Sequence, residues 1–207
     1  MKVFDCFKII VSIALVFLSL NVVAENTIND KKKNILGDLN APNTLIEYAS
    51  LSCVHCANFH NQKLPEIKEK LIKTGKLKYI YRDFPLDMPA MLAAMVTNCY
   101  EGEKFHTTLN SLFRKQKKWV TASNNKEMLL NAFHEILKQH GISLEKIKTC
   151  AAENEDNKKK WDSILASRLE GQKLGVNSTP SFILNGKNSV NVLYCSPPVY
   201  CITIYPS

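Results

Sequence analysis

Two thiols stand one helical turn apart in Cys53-Val54-His55-Cys56, directly after the apolar run Thr44-Leu45-Ile46-Glu47-Tyr48-Ala49 and at the head of a helical stretch. Such a pair can close a disulfide or share a metal ion. A strand that delivers the first cysteine to a helix N-terminus puts its sulfur at the positive end of the helix dipole, which favours the thiolate and therefore redox chemistry. In that setting Cys53 is the exposed nucleophile, and Cys56, one turn further in, is the thiol that resolves a mixed disulfide. His55 lies between them, where its ring and the helix amides can stabilise the Cys53 anion. A zinc or copper reading would draw on Cys53, Cys56, His55 and His60, but a structural zinc site needs a second ligand pair at defined spacing, and none follows in the sequence. Glu47 is a carboxyl group in an otherwise apolar strand, so it either carries a desolvation cost or exchanges protons; an acid at a strand end that simply reaches water is the other reading.

These residues need elements to hold them. Residues 44–48 read as a strand leading to Cys53, and the helix after it carries Phe59, Leu64, Ile67 and Leu71 at helical spacing before Gly75 stops it. Pro65 predicts a kink in that helix. Residues 77–82 alternate and are rich in β-formers, giving a second strand that ends at Phe84-Pro85. Strand, helix, strand over this length is a parallel crossover unit. From Pro89 to about Glu155 the period is helical throughout: Met91, Leu92, Met95 and Val96 mark one helix, Phe105, Leu109, Leu112 and Phe113 another, and Met128, Leu129, Ala132, Phe133, Ile136 and Leu137 a third. Gly141 breaks the chain before a short helix ending at Cys150. A long helix with Trp161, Ile164, Leu165 and Leu169 on one face is closed by Gly175, and residues 181–186 form a strand and turn. The apolar stripes read as core.

The N-terminus sets the compartment. Lys2 and Lys8, an apolar core from Ile9 to Leu20, and Val22-Val23-Ala24 ahead of Glu25 read as a secretory signal peptide over residues 1–24. The apolar core is shorter than the ~20 residues a spanning helix needs. Removing the signal takes Cys6 with it and leaves six of the seven cysteines, an even count that an exported protein can pair. Cys53 and Cys56 form one obvious pair, Cys99 and Cys150 are candidates for a second, and Cys195 and Cys201 lie in the C-terminal tail. The net charge of +8 is spread over separate runs at residues 31–33, 115–118 and 158–160 without interleaved aromatics, which argues against nucleic-acid binding.

The order and spacing of these motifs resemble the DsbA-like thioredoxin-fold thiol oxidoreductases of bacterial envelopes. The resemblance rests on Glu47 six residues before Cys53, Cys53-Val54-His55-Cys56-Ala57, Phe59-His60, Leu64-Pro65, a helical insertion, and Gly175-Val176-Asn177-Ser178-Thr179-Pro180 before a strand. It implies an α/β, thioredoxin-like fold with an inserted helical domain: a first thioredoxin-like part over residues 25–87, the insertion over 88–160 and a second part over 161–187. It also implies that Pro180 is a cis proline facing the disulfide, that Thr179 and Val54 contact the substrate chain, and that Glu47 assists proton transfer at Cys56. Relatives in this family often carry a non-catalytic pair such as Cys99 and Cys150. The implied activity is donation of the Cys53–Cys56 disulfide to reduced, unfolded exported proteins in the periplasm. Reoxidation would come from a quinone-linked membrane partner of the DsbB type, so the membrane is met only through a transient partner. No metal or organic cofactor is implied, because the disulfide carries both electrons. A disulfide isomerase or reductase on the same fold is the alternative, favoured by threonine before Pro180, and a substrate- or metal-binding relative with impaired turnover is another.

Residues 188–207 depart from the family. In place of a strand and a final charged amphipathic helix, the chain has no charged side chain and three prolines there, which cannot make that helix. The tail is expected to be dispensable for thiol chemistry, with Cys195 and Cys201 able to pair with each other or to mispair with Cys53.

Overall fold

Alternation of β-branched and aromatic residues produces the central strands of the computed structural model, which describes residues 34–122 and 125–188 and the strand segments Leu193–Cys195 and Val199–Cys201. The signal peptide over residues 1–24 and the pairing of Cys195 with Cys201 lie outside the described residues and side chains. Strand β1 (Ile35–Leu36), β2 (Asn43–Ala49), β3 (Leu77–Asp83), β4 (Ser181–Leu184) and β5 (Lys187–Asn188) form one sheet in the order β1-β3-β2-β4-β5. β2 and β3 run parallel with Leu45 opposite Tyr79 and Glu47 opposite Tyr81, while β4 pairs antiparallel to β2 with Phe182 opposite Glu47. β3 buries every second residue, Leu77, Tyr79, Tyr81 and Asp83, as a half-covered strand should. The two tail strands, β6 (Leu193–Cys195) and β7 (Val199–Cys201), pair antiparallel with each other.

The crossover from β2 to β3 is a composite helix α1 over residues 54–72. Its α-helical segments Val54–Asn58 and Leu64–Ile67 alternate with π-helical segments Phe59–Lys63 and Lys68–Ile72. Where the sequence predicts a kink, the turn before Pro65 widens instead: Leu64 N–H reaches back five residues to Phe59. Pro65 has no N–H to return to the preceding turn, and the wider turn absorbs that missing bond.

Helices α2 (Met88–Thr97), α3 (Gly102–Arg114), α4 (Gln116–Val120), α5 (Lys126–Leu137), α6 (Leu144–Cys150) and α7 (Glu155–Lys173) fill the chain between β3 and β4. They share one continuous core with the sheet, in which Tyr79 and Tyr81 pack with Phe105, Phe113, Trp119 and Phe133. α7 begins at Glu155 and so runs unbroken across residue 160, the expected end of the insertion. On the other face of the sheet Tyr48, Phe84, Val176 and Ile183 form a smaller cluster. Gly171 of α7 sits so close to it that a Cβ would lie 2.9 Å from the Tyr48 ring. Cys99 and Cys150 are joined by a disulfide that ties the end of α2 to the end of α6, with their Cα atoms 5.9 Å apart.

Candidate active site

Cys53 is the N-cap residue of α1: its backbone is extended and its sulfur accepts the Cys56 N–H at 3.3 Å, the place a serine or aspartate oxygen commonly takes. Gln116, buried at the start of α4, donates to the carbonyls of Leu51 at 2.7 Å and Cys53 at 2.9 Å. The helical insertion thereby holds the loop that presents the cysteine. Opposite, the loop before β4 has a cis Thr179–Pro180 peptide and sets the Thr179 carbonyl 3.3 Å from the Cys53 thiol, which donates to it. Val54, 49% exposed, flanks Cys53 on the outer surface.

The two thiols, both free here, differ sharply in acidity. The Cys53 thiol is lowered from 9.0 to about 6, first by the hydrogen bond it shares with Cys56, and further by the Thr179 hydroxyl and the backbone N–H groups of Cys56 and His55, against a desolvation cost. The His55 side chain itself is exposed. Of the ring and the helix amides expected to stabilise Cys53, the amide is the part seen to act: the first turn of the helix aims the His55 N–H at the sulfur whatever the side chain. Cys56 is fully buried, and burial above all pushes its thiol well up, with the Cys53 hydrogen bond and the Glu47 charge adding to it.

Glu47 lies beneath this pair in the central strand and is wholly buried. Its Oε2 accepts the Tyr79 hydroxyl from β3 and lies 3.0 Å from His60 Nε2 on α1. The His60 ring stacks on Phe113 with centroids 4.0 Å apart, and its Nδ1 is 3.5 Å from Asn110 Oδ1 on α3. Burial, with Glu47 and neighbouring groups, pushes the Tyr79 and Tyr81 phenols well up.

Sequence reasoning set His60 aside as a weak metal ligand and missed Tyr79 and Gln116. Only tertiary contacts reveal them, across β2, β3 and α1 for Tyr79 and between α4 and the Cys53 loop for Gln116, although for His60 its place four residues past a cysteine and on the same helix face is a usable signal. Among the described residues no group of three or more His, Cys, Asp or Glu side chains is arranged to hold a metal ion. A cavity of about 670 Å³ opens away from both cysteines, between α2, α5 and the start of α7, lined by Met88, Leu92, Leu129 and Trp161 among others.

Residues 29–193 match the family described as Thioredoxin. A protein-disulfide oxidoreductase of Rickettsia conorii is 31% identical over 168 residues, which is 78% of this chain and 56% of that protein, so the chain spans little more than half the length of such curated relatives. Disulfide bond formation protein D of Bacillus anthracis is 28% identical over 198 residues, 86% of each. Among solved structures, alpha-DsbA1 of Wolbachia pipientis has 37% identity and a TM-score of 0.63 over 73% of either chain. BdbD of Bacillus subtilis, at 21% identity and a TM-score of 0.64 over 78% of this chain and 85% of its own, shares the fold. A thiol at a helix N-cap, a cis-proline loop across from it and a buried acid beneath it thus sit in a chain that belongs to the DsbA-like members of the thioredoxin family.

Proposed function

We propose that the protein is a thiol:disulfide oxidoreductase that passes its Cys53–Cys56 disulfide to reduced, unfolded exported proteins. The observation that carries this reading is the asymmetry of the two thiols, with Cys53 lowered to about 6 and Cys56 pushed well above its ordinary value. A substrate thiolate attacks Cys53 Sγ, the Cys53–Cys56 bond breaks, and its electron pair leaves on Cys56, which takes up a proton. A second substrate thiolate then attacks the substrate sulfur of the mixed disulfide, and Cys53 leaves as a thiolate. The low pKa makes Cys53 a good leaving group in that second step, which favours net oxidation of the substrate. Val54 and the Thr179–Pro180 loop flank the attacked sulfur and would contact the substrate chain, and Glu47 would exchange the Cys56 proton. The disulfide carries both electrons, so the step calls for no metal or organic cofactor.

The family resemblance and the signal-like N-terminus support a periplasmic setting with reoxidation by a quinone-linked membrane partner of the DsbB type. A reductase or isomerase is the second reading, favoured through the resemblance by the threonine that precedes Pro180. Equilibration with glutathione buffers separates the two. A potential near about −120 mV supports the oxidase, and one near about −270 mV sinks it in favour of a reductase.

A further inference from the structure

The Glu47–His60 pair holds more proton-handling capacity than a structural salt bridge needs. Both of its bonds go to one oxygen: Tyr79 and His60 meet Glu47 Oε2, while Oε1 is buried and bonded to nothing among the described residues. A pair kept only for fold stability would be expected to satisfy both oxygens. The charge of Glu47 is felt at Cys56, so the carboxyl lies within electrostatic reach of the thiol. On its far side His60 is the link outward. The imidazole joins Glu47 through Nε2 and Asn110 through Nδ1, and Asn110 is half-buried on α3, which reaches solvent.

We propose that His60 is a proton carrier for the resolving cysteine, moving protons between Glu47, which exchanges them with Cys56, and the solvent side of α3 at Asn110. This rests on the thiol–disulfide reading above. When a substrate thiolate attacks Cys53 and the disulfide bond breaks, the electron pair goes to Cys56 Sγ, which takes the proton shared by Glu47 and His60; the pair regains one from solvent past Asn110. In reoxidation the Cys56 proton passes to Glu47 Oε1. Cys56 Sγ attacks Cys53 Sγ of the mixed disulfide, and the partner leaves as a thiolate with the electron pair. Tyr79 and Phe113 are positioning residues: the phenol fixes Oε2, and the stacked ring keeps the imidazole from turning. The titratable groups around His60 besides Glu47 are the Tyr79 hydroxyl 3.5 Å from Nε2, Tyr81 of β3 at 5.9 Å between ring centroids, and His106 of α3, which feels its charge.

The test is the release of the second glutathione when reduced protein is mixed with glutathione disulfide, the step in which Cys56 displaces glutathione from Cys53. His60→Gln keeps a donor to Glu47 but cannot relay a proton. It should slow that release about 10-fold or more between pH 6 and 7, with the deficit closing at high pH as hydroxide takes over, and it should leave alkylation of Cys53 by iodoacetamide unchanged. Asn110→Leu, at a half-buried position, should show a smaller deficit of the same pH dependence. Release at the wild-type rate in both variants overturns the proposal, as does an equal slowing at every pH accompanied by slower alkylation, which is the signature of structural damage. If His60→Gln does not fold, Asn110→Leu decides by the same criterion. A wild-type protein that resolves the mixed disulfide normally but cannot oxidise reduced peptides sinks the oxidase reading and leaves the relay standing.

Discussion

Replacing Cys53 with serine in the reduced protein should remove a pH-dependent part of its stability. Serine keeps an acceptor at the N-cap but does not ionise in the working range. A thiol whose folded pKa lies below its unfolded value stabilises the fold at pH above the unfolded value and loses that contribution as pH falls through the folded one. With 9.0 unfolded and about 6 folded, linkage gives about 2.7 kcal/mol at pH 8, about 1.4 at pH 7 and almost nothing at pH 5. Cys53 is buried at 8% exposed, not the exposed thiol the sequence suggests, and a discount of about half for the water that still screens the thiolate leaves about 1.3 kcal/mol at pH 8. Cys56, pushed upward, stays protonated in the fold and almost entirely so in the unfolded chain up to pH 8, so it contributes nothing over this range. Reduced wild-type and Cys53→Ser proteins, melted side by side in the same reductant, should differ in Tm by roughly 3–5 °C more at pH 8 than at pH 5. Thiolate ultraviolet absorbance should report the midpoint independently. A stability gap that stays constant from pH 5 to pH 8 would refute the assignment of Cys53 as a stabilised thiolate, and with it the leaving-group argument.

His55→Leu should raise the Cys53 pKa from about 6 to no more than about 7 by thiolate absorbance, because the residue acts through its amide and an exposed imidazole is well screened. Gln116→Leu takes the donor from the buried Leu51 carbonyl and leaves the Cys53 carbonyl with only the Ala57 N–H; it should cost about 1–3 kcal/mol in denaturant unfolding and speed proteolysis of the Cys53 loop. The Cys99→Ala/Cys150→Ala double variant opens a loop with a sequence separation of 51, so the chain-entropy argument allows a loss of about 4 kcal/mol at most. Denaturant midpoints should show about 2–4 kcal/mol, and peptide mapping of the non-reduced wild type should recover the 99–150 pair.

Much of the sheet was legible because its strands obey a simple period. Residues 77–82 alternate, and their strand differs from expectation only by ending at Asp83. β1 escaped notice because two residues are too few to carry a period. The long helix was legible from Trp161, Ile164, Leu165 and Leu169, but its start was not, since Asn154 caps it seven residues before the first of them. In the site, adjacency in sequence made Cys53 and Cys56 visible, whereas Tyr79 meets Glu47 only because β2 and β3 align in parallel register. Gln116 was the hardest to read. It lies within a lysine-rich run at residues 115–118 that reads as a solvated face, yet it is buried, and only the tertiary fold brings it under the Cys53 loop.

Much of what surrounds Cys53 is main chain. After the Cys56 thiol and the Thr179 hydroxyl, its acidity draws on the N–H groups of Cys56 and His55, its thiol faces a carbonyl at Thr179, and its loop is tethered by its own and a neighbouring carbonyl. Peptide groups are common to every residue, so substitutions that preserve the backbone path leave these interactions in place. Mutational drift toward the lysine- and asparagine-rich composition of this chain could therefore rewrite nearly all of the exposed surface, His55 included, and still deliver the same sulfur at the same proton affinity. Tolerance of that kind is not shared by the layer beneath. Glu47, His60, Tyr79 and Gln116 act through their side chains, so random mutagenesis scored by peptide oxidation should find its intolerant positions below the cysteines rather than around them.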